Sequence, residues 1–140
     1  MKILILASFL LTSALSAAII DDAKGLIGRT GLGREYGNDI GPCEITIQDG
    51  YLKLVGDYYY SSWIELSAKL IKSSSHETIY LSNETGERPG GDKCGDQGGM
   101  IKYRKSASIN HDISRVSITE SFRCILDGFQ KYSIEYTCQL

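Results

Sequence analysis

Strict alternation of apolar and polar residues recurs along this chain. Cys43, Ile45 and Ile47 share one parity against Glu44, Thr46 and Gln48, and after Asp49-Gly50 the run Tyr51-Leu52-Lys53-Leu54-Val55 continues the pattern. An Asp-Gly pair between two alternating runs is a strong hairpin signal, because both positions tolerate the positive φ of a type I′ turn. Towards the C-terminus Val116, Ile118, Phe122 and Cys124 share a parity on which Glu120 is the polar exception. Asp127-Gly128 marks another turn, and Tyr132, Ile134, Tyr136 and Cys138 then line one face. A period of two describes strands half buried on a core.

Further strands are predicted over Leu26–Leu32, Trp63–Lys72, Glu77–Ser82 and Met100–Ile109. The second is ambiguous. Ile64, Leu66, Ala68 and Leu70 alternate with polar neighbours as in a strand, yet Ser62 followed by Glu65 imitates a helix capping box. The strand is the reading taken; a helix there would make the fold α+β. About eight short strands separated by turns predict an all-β domain, a single antiparallel meander forming a small barrel or a sandwich. Gly33–Pro42 and Gly86–Gly99 read as the least structured segments, the second because its glycines discourage regular structure.

Composition agrees with sheet: nine Tyr and fifteen Gly stand beside only two Pro. The N-terminus changes the picture more. Lys2, the apolar stretch Ile3–Leu11 and the small residues Ala14–Ala18 read as a signal peptide, Met1–Ala17, ahead of one domain, Ala18–Leu140. Thr12 and Ser13 interrupt the apolar stretch, leaving it shorter than a bilayer span, so no integral membrane segment is expected after cleavage. The expected location is the periplasm or the medium. Losing Lys2 leaves fourteen basic against seventeen acidic residues with no run of like charge. That balance argues against nucleic acid or an anionic membrane as the main partner.

Four cysteines in an exported chain imply two disulfides. A turn centred near His111 would set Cys124 opposite about residue 98, near Cys94. The expected pairs are therefore Cys94–Cys124 and Cys43–Cys138, the latter joining an early strand to the last one. Other chemistry fails on spacing. Gly31-Leu32-Gly33 with Gly37 lacks the following helix of a dinucleotide loop. Asp92, Cys94 and Asp96 put a sulfur where a calcium loop needs oxygen, and His76 and His111 stand in separate predicted turns, so no metal or cofactor is expected. Asn110-His111-Asp112 reads as a hairpin turn rather than a catalytic pair. Asn83-Glu84-Thr85 is a glycosylation triplet only in a host with that pathway.

The densest aromatic cluster, Tyr58, Tyr59, Tyr60 and Trp63, supplies the candidate ligand-binding residues, since such rings combine large contact area with a polar edge. A glycine-bearing early strand followed by a disulfide-linked meander is similar in layout to small exported barrels of the lipocalin or calycin type. Those begin with a Gly-x-Trp element, whereas Gly25-Leu26-Ile27-Gly28 has no tryptophan, and no family membership follows. The sequence thus predicts an exported, non-enzymatic β-domain binding a small apolar or glycan ligand through an aromatic surface or barrel mouth. The alternatives are a module that binds or inhibits another extracytoplasmic protein through the Gly86–Gly99 loop, and a small secreted enzyme with an unrecognised site.

Overall fold

The computed structural model describes residues 18–56, 61–89, 100–125 and 131–140. Among these, nine strands form one strongly curled antiparallel sheet. They are β1 (Thr30–Glu35), β2 (Asn38–Gln48), β3 (Tyr51–Gly56), β4 (Ser61–Glu65), β5 (Lys69–Ser73), β6 (Glu77–Pro89), β7 (Met100–Asn110), β8 (Arg115–Cys124) and β9 (Lys131–Gln139). Their order is β4-β3-β2-β1-β9-β8-β7-β6-β5. The all-β expectation stands. The predicted signal peptide, Met1–Ala17, lies outside the described residues.

Closure at β1 differs from the simple meeting of first and last elements. Cys43 of β2 and Cys138 of β9 are joined as expected, with Cα atoms 5.8 Å apart. However, β1 lies between their strands, Gly31 opposite Cys43 and Gly33 opposite Cys138. Both glycines matter sterically. A Cβ on Gly31 would fall 2.1 Å from the Gln139 carbonyl oxygen, and one on Gly33 would crowd Cys43 Cβ at 3.3 Å. A side chain at Gly31 would therefore force β1 and the C-terminus apart.

Three sequence boundaries are corrected. Leu26–Leu32 is a strand only from Thr30; residues 18–23 are helical and a turn follows. Ile19, Ala23 and Leu26 fall at i, i+4 and i+7, one face of a helix, and all three are buried. Gly33–Pro42 is an ordered hairpin. Its Tyr36-Gly37 turn has φ of 51° and 77°, so it reverses the chain as Asp49-Gly50 does with 55° and 82°. The flanks lack an apolar alternation because charged and glycine residues fill them. Finally, β6 continues through Gly86 to Pro89, so part of the expected Gly86–Gly99 loop is strand; residues 90–99 lie outside the described residues.

The Trp63–Lys72 segment is extended, not helical, but it is two strands kinked over Leu66–Ala68. Because every neighbouring pair in the sheet is antiparallel, β4 and β5, at its opposite edges, run in the same direction. One chain path thus pairs first with β3 and then with β6, carrying the sheet round towards itself.

Among the described residues no ladder closes the seam; a side chain does. The register of β6 against β7 shifts between Leu81 and Thr85. Glu65, only 6% exposed at the end of β4, accepts a hydrogen bond from Ser82 Oγ at 2.9 Å and others from the Asn83 and Glu84 backbone amides. Its carboxylate thereby satisfies donors that the bulge removes from the sheet.

The interior is largely filled. Ile45, Leu52, Leu54, Ile64, Tyr80, Ile109, Val116 and Ile118 pack against the helical residues Ile19 and Ala23, which plug one end. Tyr80 donates its hydroxyl proton to Asp22, tying that plug to β6. A second cluster, Ile101, Phe122, Cys124 and Ile134, sits nearer the opposite end.

Candidate functional site

Two strand patterns carry a charged residue on the apolar parity. Glu120 breaks the run Val116, Ile118, Phe122, Cys124, and Lys105 breaks Ile101, Tyr103, Ala107, Ile109. The register makes them direct cross-strand partners, Lys105 opposite Glu120, on the inward face. Glu120 is only 8% exposed. Burying a carboxylate requires a compensating charge or hydrogen bonds, so the interior changes character at this level, from apolar filling to polar lining.

A cavity of about 160 Å³ opens here, lined by Ser62, Trp63, Ser82, Glu84, Tyr103, Lys105, Glu120 and Tyr136, with Ser61 at its rim. Lys105 Nζ lies 3.7 Å from the centroid of the Trp63 ring, a cation–π contact. Trp63 itself is 42% exposed. It stands on the edge strand β4 and faces the gap towards β6, which lets an outwardly disposed residue contribute to an inward hollow. Tyr136 is held by Glu35. Burial first, then the Glu35 charge and its hydrogen bond, with Glu120 and Tyr36 adding to them, push the phenol up to about 12. It therefore keeps its proton and stays a donor throughout the physiological range.

Tyr103 owes its position to a missing side chain. It pairs with Gly86, and a Cβ on Gly86 would lie 2.6 Å from the Tyr103 hydroxyl oxygen. The ring covers the strand where that Cβ would be. Cross-strand aromatic cover of a glycine is a known device of β-sheets, and here it brings an aromatic ring to the mouth. Tyr51 adds a further contact on the rim side, its hydroxyl donating to Glu84 at 3.2 Å.

Of the expected aromatic cluster, Trp63 reaches this cavity, while Tyr58, Tyr59 and Tyr60 lie outside the described residues. The strands on either side of them, β3 and β4, end at Gly56 and begin at Ser61. Lys105, Glu120, Tyr103, Tyr136, Ser62 and Ser82 were not among the expected site residues. The signal that could have found the central pair is the two breaks in alternation, which become meaningful once the β7–β8 register is known.

That register also corrects the cysteine arithmetic. The β7–β8 turn occupies residues 111–114, so Cys124 faces Ile101 rather than a residue near 98. Cys124 is buried and its thiol is not free. Cys94 lies outside the described residues, as do Asp92 and Asp96 of the discounted calcium pattern.

At the plugged end, the imidazole that meets a carboxylate is His76, not His111. His76 Nδ1 lies 2.6 Å from Asp112 Oδ2, and the His111 amide donates to the His76 carbonyl. Both side chains of the pair are exposed. The contact pins the β5–β6 turn to the β7–β8 turn. Among the described residues, no cluster of three His, Cys, Asp or Glu side chains could hold a metal ion. No described helix is long and apolar enough to cross a membrane. No protein-family model matches the chain, and no curated protein is detectably similar to it.

Proposed function

We propose that this chain is an exported, non-enzymatic β-barrel protein that holds a small hydroxylated ligand, of the size of one sugar unit, in the polar mouth between β4 and β7–β9. The observation that carries this reading is the Lys105–Glu120 pair on the inward face, where the alternation calls for apolar residues. A pure packing role would be served better by two apolar side chains, since charged groups drawn out of water on the inward face cost free energy that a hydrophobic replacement does not. Donors and acceptors from Lys105, Glu120, Tyr136, Ser62 and Ser82 surround the space, and Trp63 and Tyr103 offer ring faces. This combination suits a ligand with hydroxyls on its edge and C–H groups on its face.

Size separates the two ligand classes. The cavity of about 160 Å³ equals the share of roughly five water molecules, well under the ~300–1,000 Å³ of sites that enclose larger apolar ligands. The apolar interior is already occupied by Leu52, Leu54, Ile64 and the helical plug. A lipid chain would have to displace that core. Export is supported by the leader pattern and by the Cys43–Cys138 disulfide, a bond that persists in oxidising compartments.

The chain has a single tryptophan, so its fluorescence reports on this mouth. Titration with a panel of monosaccharides and disaccharides should give a saturable change for at least one sugar. Lys105→Met, which keeps length and removes the ammonium, should weaken that binding at least tenfold while the protein stays folded. Saturable binding of fatty acids in place of sugars, or no response to any sugar, would overturn the reading.

A further inference from the structure

A second hollow, of about 810 Å³, opens on the outer face of β6–β9. Its walls include Lys102, Arg104 and Arg123, with the hydroxyls of Thr85, Ser121 and Ser133 between them. The register assembles these residues from separate strands. Lys102 stands directly opposite Arg123, and Arg104 directly opposite Ser121, which in turn faces Ser133. Like charges directly opposite one another weaken a sheet. Glu87 answers Lys102, at 3.7 Å, but neither Arg104 nor Arg123 has a carboxylate partner among the described residues. The chain as a whole is acidic, with a formal net charge of −2, so this face reverses the sign of the molecule locally.

We propose that this outer groove binds an acidic polysaccharide, a sugar chain carrying carboxylate or sulfate groups. Guanidinium forks match both groups bidentately, and the intervening Ser and Thr hydroxyls match the hydroxyls of the same chain. An acidic peptide fits less well. Peptides that dock on sheets add a strand to a free edge, whereas β7 and β8, which carry all three cations, are paired on both sides. The volume is in the range of an ordinary ligand site and several times that of the mouth cavity. The sequence conceals the groove because its cations are divided between two strands, at alternate positions of polar parity, and form no run.

The test uses the mature chain and four probes of matched length: an oligouronate, a sulfated oligosaccharide, a neutral oligosaccharide and oligoglutamate. One or both acidic sugars should bind at low salt, the tighter one identifying the acidic group, and the affinity should fall as salt rises. Arg104→Gln and Arg123→Gln should each weaken binding at least tenfold without moving the melting temperature. The salt dependence of Lys102→Gln, read on its own, should be shallower, which keeps the test decisive if an arginine variant folds poorly. Lys105→Met, at the mouth, should leave this binding unchanged, so failure of the mouth reading is distinguishable from failure here. Absence of binding to both acidic sugars, equal binding of oligoglutamate, or indifference to the arginine substitutions would overturn the proposal.

Discussion

Tyr136 has a phenol whose surroundings are set by three different strands. It stands on β9, Glu35 reaches it from β1 and Glu120 lies on β8. Burial and the two acids hold its pKa at about 12, against an ordinary value near 10. Between those values the unfolded phenol has lost its proton while the folded one keeps it. The unfolded chain then binds fewer protons, so stability falls as pH rises through the window. Thermal melts from pH 9.5 to 12 should show this decline, and Tyr136→Phe should remove part of it. Tyr80, also raised, by burial and by Asp22, should keep the remainder. A Tyr136→Phe profile that declines as steeply as the parent would show that this phenol is not so held. How legible was such a residue? The alternation alone sets Tyr136 on the apolar parity of its strand and marks Glu120 as a misfit. It does not mark their acid neighbour Glu35, because the Tyr36-Gly37 turn that fixes β1 has a bulky first residue where the usual signal is Asn or Asp.

At the scale of elements, the chain has to bend a sheet round without a continuous ladder between β4 and β6. Glu65 solves this locally, with its carboxylate facing the Ser82 hydroxyl and the backbone amides of Asn83 and Glu84. Asn83 ties in from its own side chain, donating to the Ser67 carbonyl at 2.6 Å. Glu65→Ala should cost about 2–3 kcal/mol, because it strands amide donors that no strand replaces, whereas Ser82→Ala should cost about 1 kcal/mol. Urea unfolding measures the difference. Faster hydrogen exchange confined to Asn83 and Glu84 would show that the seam has loosened, and unchanged exchange there would refute the role given to Glu65. The same element explains why the Trp63–Lys72 segment reads ambiguously. Ser62 and Glu65 do look like a capping pair, yet Glu65 is spent on β6, and a local window cannot see this because its partners lie 17 to 19 positions away. Hairpins with Asp-Gly turns were legible because their information is local.

The whole molecule is held by long-range closures that local patterns do not encode. The Cys43–Cys138 bond closes a separation of 95 residues, and in the chain-entropy model a loop of that size removes about 4–5 kcal/mol of unfolded-state freedom. Non-reducing peptide mapping should recover this pair and Cys94–Cys124, the pairing expected for the two remaining cysteines; Cys94 joined to Cys43 or Cys138 would overturn both. The N-terminus is the other closure. Ile19 and Ala23 are fully buried in the main core, and Asp22 accepts the Tyr80 hydroxyl. A free terminal ammonium on Ile19 would sit directly on a residue packed into the core, where a charge is harder to solvate than at Ala18. Cleavage after Ala18 is thus disfavoured on folding grounds, although the small residues there suit a peptidase equally well. On the proposed export and processing, the mature chain should begin at Ala17 or Ala18, as intact-mass measurement would show. A chain engineered to start at Lys24 should lose the plug, expose Leu52 and Ile64, bind an apolar dye and melt far lower. Native-like melting of that truncated chain would mean that residues 18–23 only rest on the barrel, and the preference for the earlier cleavage site would lose its physical basis.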